Sequence, residues 1–150
     1  MRLNVQEEID RLASGDKDAL DLIHGAWKAC SVWDDLIDKD NVPTEQQIND
    51  CFLWALFDLQ NNRVYRENPH LAFVLRLTIS NWFAANRLER EEEREKRITA
   101  YTLRCSPYDF FVAVIMCVAG PSAADEAAYL FRSMNTTDNL EDYLSEHTKD

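Results

Sequence analysis

"CSPYDFFVAVIMCVAGP", residues 105–121, is the stretch on which the fold turns. Ser106 stands where a helix cap belongs. Pro107 suits the first helical position, where a missing N–H costs nothing, and Asp109 adds an acid in the first turn. From Phe110 to Ala119 every side chain is apolar, and Gly120-Pro121 then stops the helix. The run "FFVAVIMCVAG" is about half the roughly 20 residues that a membrane span needs. It therefore predicts a helix over 107–119 that is buried in a protein core, with the rest of the chain wrapped round it.

Working outward, the same punctuation recurs. Ser122 with Asp125 repeats the capping pattern and opens a last helix to about Met134. The acidic tail, 135–150, is expected to be mobile, with at most one weak helical turn. Upstream, residues 4–13 form a short amphipathic segment that "SGD" at 14–16 breaks. A long helix follows from about Asp16 to Asp38, with Leu20, Ile23, Trp27, Cys30, Asp34 and Ile37 on one stripe. Thr44 and Gln47 form a capping box for a helix whose inner stripe reads Ile48, Phe52, Ala55 and Leu59. "QNNR" and "ENP" mark a loop. Asn68 is the expected cap and Pro69 the first position of the next helix. Its inner face carries Leu71, Val74, Leu75, Thr78, Asn81, Ala85 and Leu88, and no breaker interrupts the charged run 88–97, so the helix is expected to continue toward Arg104. The expectation is an all-α fold, one domain over 1–150, in a bundle of five or six helices. Only 3 Gly and 4 Pro argue against a sandwich or barrel.

A net charge of −11 disfavours a nucleic-acid backbone as partner. It permits a cation or a basic protein partner. Cys30, Cys51, Cys105 and Cys117 form no CxxC pair and sit among apolar residues, so they read as buried free thiols in a reducing compartment. The first ten residues, "MRLNVQEEID", lack the apolar core of a signal peptide. The expected location is the cytoplasm, of a cell or of an infected host, with no membrane partner. His24 and His70 are read as isolated histidines, and the four Trp residues as core or interface fillers, which allows a homodimer.

One polar stretch stands out, "WDDLID", residues 33–38. Asp34 and Asp38 are one turn apart and share a helix face, while Asp35 points about 100° away. Asp34 falls on the apolar stripe, and a carboxylate turned toward a core has to be paired, protonated or metal-bound. Hard divalent cations prefer carboxylate oxygens, and Mg²⁺ joins one or two of them to substrate phosphates. Two turns of helix separate Asn81 from Glu89, and Asn81 also lies on an inner stripe. Each has a plainer alternative. "DDLID" can be a solvated helix end, Asn81 a core amide, Glu89 a member of the exposed charge run, and Asn86-Arg87 an exposed pair.

These residues carry a resemblance. "DDLID" resembles the DDxxD motif of the class I isoprenoid (terpene) synthases. "NWFAANRLE" is similar to their second metal motif in its first and last positions, with Trp82 and Ala85 standing where that family has an acid and a hydroxyl. The resemblance implies Mg²⁺ held by Asp34, Asp38, Asn81 and Glu89, with Asp35 and Asn86 as alternates. It also implies phosphate contacts from Arg76, Arg87, Arg97 or Tyr101. Asp35-xx-Asp38 and Glu89-xx-Glu92 are also similar to the paired acids of all-helical nucleotide pyrophosphatases. The whole chain resembles small all-helical proteins of phages and prophages, through "DDLID" and the stretch from Asn81-Trp82 to Asn86-Arg87; that implies phage origin and no mechanism. Two functions are therefore expected. One is Mg²⁺-dependent binding or processing of a phosphorylated or diphosphate small molecule. The other is a non-enzymatic, acidic phage accessory protein that binds and inhibits a basic host protein.

Overall fold

The computed structural model describes residues 3–39, 41–134 and 140–146. Those residues are 84% helical, with no strand among them. The order is α1 (Leu3–Leu12), α2 (Lys17–Asp38), α3 (Glu45–Leu53), a π-helical turn (Trp54–Asp58), α4 (Leu59–Asn61), α5 (Arg63–Glu67), α6 (His70–Leu88), α7 (Arg94–Leu103), α8 (Pro107–Ala119), α9 (Pro121–Met134) and α10 (Leu140–Glu146). Eight of these have seven residues or more, against the five or six expected. The surplus comes from one break and one addition. The charged run does not continue the helix: α6 ends at Leu88 and the chain turns through 89–93 before α7. The cause is tertiary, because Glu89 turns inward to meet Arg104. The addition is in the tail, where Leu140–Glu146 forms α10 and docks on α7 with Leu144 buried. The rest of the expected tail, 135–139 and 147–150, lies outside the described residues.

At the centre is α8. Its Tyr108, Phe110, Phe111, Val114 and Ile115 are buried, and α2, α6 and α9 pack round it. Phe131 of α9 stacks on Tyr108 with ring centroids 5.4 Å apart. Leu22 and Ile23 of α2 and Leu71 of α6 close the same cluster. Each fully buried Phe, Leu or Ile contributes about 1.5–3 kcal/mol, so this layer dominates the favourable side of folding. By length and composition Arg94–Ala119 is long and apolar enough to cross a membrane, which the sequence reading did not expect. Within it, a turn at residues 104–106 divides α7 from α8.

Local signals behave unevenly. Asp16 caps α2 through the N–H of Ala19, and Thr44 with Gln47 forms the expected capping box. Ser106 does not cap α8; its hydroxyl donates to the Leu103 carbonyl instead. Asn68 likewise spends its amide on the Val64 carbonyl. The stripe expected on α3 is half displaced, with Leu59 buried but Phe52 and Ala55 exposed. The π-turn inserts a register shift there. Trp54 becomes the residue that meets α2, lying so close to Gly25 that a Cβ at that position would stand 1.8 Å from its Nε1.

Candidate functional site

Two polar features lie along α2, on different sides of it. The first is a four-way ionic knot that contains three of the carboxylates singled out in the sequence. Arg104, just past the end of α7, grips Glu89 at the end of α6 with both faces of its fork: Nε to Oε2 at 2.9 Å, and Nη2 to Oε1 and Oε2 at 2.9 and 2.7 Å. Its Nη1 donates to Asp34 Oδ1 at 2.9 Å, and its Nη2 lies 3.6 Å from Asp38 Oδ2. Tyr143 of α10 donates to Glu89 Oε2 at 3.0 Å and packs against Tyr101. The side chain of Glu89 is 7% exposed, while those of Asp34 and Asp38 keep 41% and 37%.

Electrostatics explain why the knot holds. Burial opposes the charge on Arg104, yet the hydrogen bond and charge of Glu89, helped by Asp34, hold its pKa above the ordinary value. The Tyr143 hydroxyl is pushed up to about 12, first by burial and then by the neighbouring Glu89 carboxylate. Asp34 and Asp38 sit at the C-terminal end of α2, where the helix dipole disfavours acids. The guanidinium offsets that repulsion.

The remaining candidates scatter. Asn81 is half-buried on α6 and is not among the groups that Arg104 holds. The Oδ1 of Asn86 and the Nε of Arg97 are buried with no hydrogen-bond partner among the described residues. Arg76 and Arg87 are exposed on the outer face of α6, with Arg76 bonded to Ser80. Asp35 accepts from Asn41 and faces the other side of α2. Arg104 stands where the motifs implied Mg²⁺. A guanidinium holds the carboxylates, and among the described residues no three His, Cys, Asp or Glu are arranged to hold a metal ion. Sequence reading missed Arg104 and Tyr143. A signal for Arg104 existed, since it lies one turn beyond the buried Ala100 on the same stripe of α7.

The second feature is a groove of about 900 Å³ between α2 and the α3–π-turn–α4 segment. Trp27 and Trp54 give it an apolar wall, and Asp18, Asp21, Asp35, Asp50 and Asp58 line it against a single Lys28. Asp18 is paired with Arg63, and Asp21 with Lys17. Asp35, Asp50 and Asp58 meet no basic side chain among the described residues; Asp50 accepts only the Gln46 amide. His24, read as isolated, contacts the Gln6 amide at 2.8 Å at the groove's edge.

The thiols add little to either feature. Cys30 is pushed up to about 11 by burial, then by Asp34 and Cys51. Burial also raises Cys51 and Cys117, and Cys117 lies 3.4 Å from His70. No protein-family model matches the chain, and no curated protein or solved structure is significantly similar to it.

Proposed function

We propose that this chain is a non-catalytic binding module that takes a basic segment of a partner protein into the acidic groove along α2. One observation carries the reading: five aspartates and two tryptophans line a single open groove, and three of those aspartates meet no basic side chain among the described residues. Acids supply the on-rate and the sign of charge selected, and the tryptophan walls accept the apolar stems of Lys and Arg. Cation–π contact adds about 0.5–1 kcal/mol per stacked guanidinium at exposed sites. The resemblance to small phage proteins makes the partner a host protein on this reading. Calorimetric titration with a short peptide of alternating Lys and Leu tests it. Binding that weakens steeply with added salt is expected, since screening acts on exposed charges within a Debye length of about 8–10 Å. An absence of binding at low salt sinks the proposal.

Mg²⁺-dependent handling of a diphosphate stands second. What favours it is the convergence of Asp34, Asp38 and Glu89, which outnumber the one arginine among them. A divalent cation would have to take the place that Arg104 holds. Thermal melts with Mg²⁺ and pyrophosphate decide the matter. A ligand at about 100 times its Kd adds roughly 2.7 kcal/mol, which the ionic-knot reading does not expect here.

A further inference from the structure

The fold leaves two helix faces uncovered that are apolar and opposite in charge. On the α3–π-turn segment, Phe52, Leu56 and Phe57 point outward; on α6, Phe73, Leu77 and Phe83 do the same, all six between 46% and 75% exposed. At about 100° per residue, Phe73, Leu77 and Phe83 share one third of the α6 surface with Arg76, Ser80 and Arg87. The sequence of α6 holds two arginines and no acid, in a chain of net charge −11. From Glu45 to Asn61 there is no Lys or Arg; of its acids, Asp50 and Asp58 line the groove, which leaves Glu45 to the outward face. Glu45 lies on the same side of α3 as Phe52 and Leu56.

We infer that these faces cover one another between two copies of this chain, α3 of each against α6 of the other. Two considerations select a second copy. The six side chains offer roughly 600 Å² per copy, most of the about 800 Å² that each partner gives to a specific interface. The charges complement in the α3–α6 pairing, which sets Glu45 against Arg76 and Arg87, whereas α6 against α6 brings arginines together. A two-fold axis then satisfies both contacts at once. The groove faces the inner side of α3, through Asp50 and Trp54, so this interface is separate from the proposed peptide site.

Sedimentation equilibrium on the full chain at roughly 100 µM tests the inference. Wild type is expected at twice the chain mass. Leu56→Asp and Phe73→Asp are each expected at the chain mass, with unchanged helical circular dichroism because both side chains are at the surface. The two variants mixed one to one are expected to regain dimer, because the mixed dimer keeps one α3–α6 contact wholly native. A wild type that stays monomeric overturns the inference. So does a dimer that survives both substitutions, or a mixture that fails to recover, which would mean like faces pair with like.

Discussion

Replacing Arg104 with Met removes the one cation that Glu89, Asp34 and Asp38 share, and keeps most of its stem volume. The magnitude can be worked from exposure. Asp34 and Asp38 are more than a third exposed, so water takes over much of what the guanidinium supplied, and each loses under about 1 kcal/mol. Glu89 is 7% exposed and has no such recourse. Breaking a buried pair from one side costs about 3–5 kcal/mol. The escape route caps it, since protonating a carboxyl of ordinary pKa near 4.3 at pH 7 costs about 3.7 kcal/mol. The expected destabilisation is therefore about 3–4 kcal/mol at pH 7, or a Tm loss of roughly 6–15 °C for a chain of this size. Chemical denaturation of both proteins at pH 7 measures it. A variant within about 1 kcal/mol of wild type would refute the argument that Glu89 is buried against Arg104.

Other consequences are smaller and separately checkable. Gly25→Ala gains about 1 kcal/mol of helix propensity, but its Cβ would meet the Trp54 ring, so net destabilisation with a change in tryptophan emission is expected; a more stable variant contradicts the packing of α3 on α2. Tyr143→Phe removes one hydrogen bond to Glu89, and a loss of about 1 kcal/mol is expected by urea denaturation. Because the Tyr143 hydroxyl is raised to about 12 when folded, its contribution is intact below pH 10 and is lost as pH climbs from 10 to 12, which phenolate absorbance follows. Cys30, raised to about 11, should react with iodoacetamide at pH 8 at least about tenfold more slowly in the folded chain than in urea.

What could be read from the sequence divides by the range of the interaction. The apolar helix 107–119 and its end at Gly120 were legible because a run of side chains and a breaker are neighbours in the chain. The capping box of Thr44 and Gln47 was legible for the same reason. Asp34 lies on the stripe that the period picked out, yet its side chain stays 41% exposed, and its stripe neighbour Ile37 is exposed as well. Its partner could not be read at all, because Arg104 is 70 residues away and only packing brings the two together. The break after Leu88 has the same origin: the charged run is locally helical in preference, and the burial of Glu89 overrules it. On α3 the periodicity foretold an apolar face but not what covers it: Phe52, ahead of the π-turn, is exposed, and Leu59, after it, is buried. The groove was invisible for a related reason, since Asp50 and Asp58 are ordinary surface acids until α3 is laid beside α2.

The central claim is that the groove, and not acidity in general, selects a basic partner. The most direct measurement is fluorescence anisotropy of the labelled Lys/Leu peptide against two variants of equal net charge. One reverses Asp35 and Asp50 to Lys inside the groove; the other reverses Glu7 and Glu92, exposed acids that do not line it. The account predicts that the groove variant loses binding by at least about tenfold, or 1.4 kcal/mol, while the control stays close to wild type. Equal losses in both variants would contradict it, because the peptide would then be reading net charge alone.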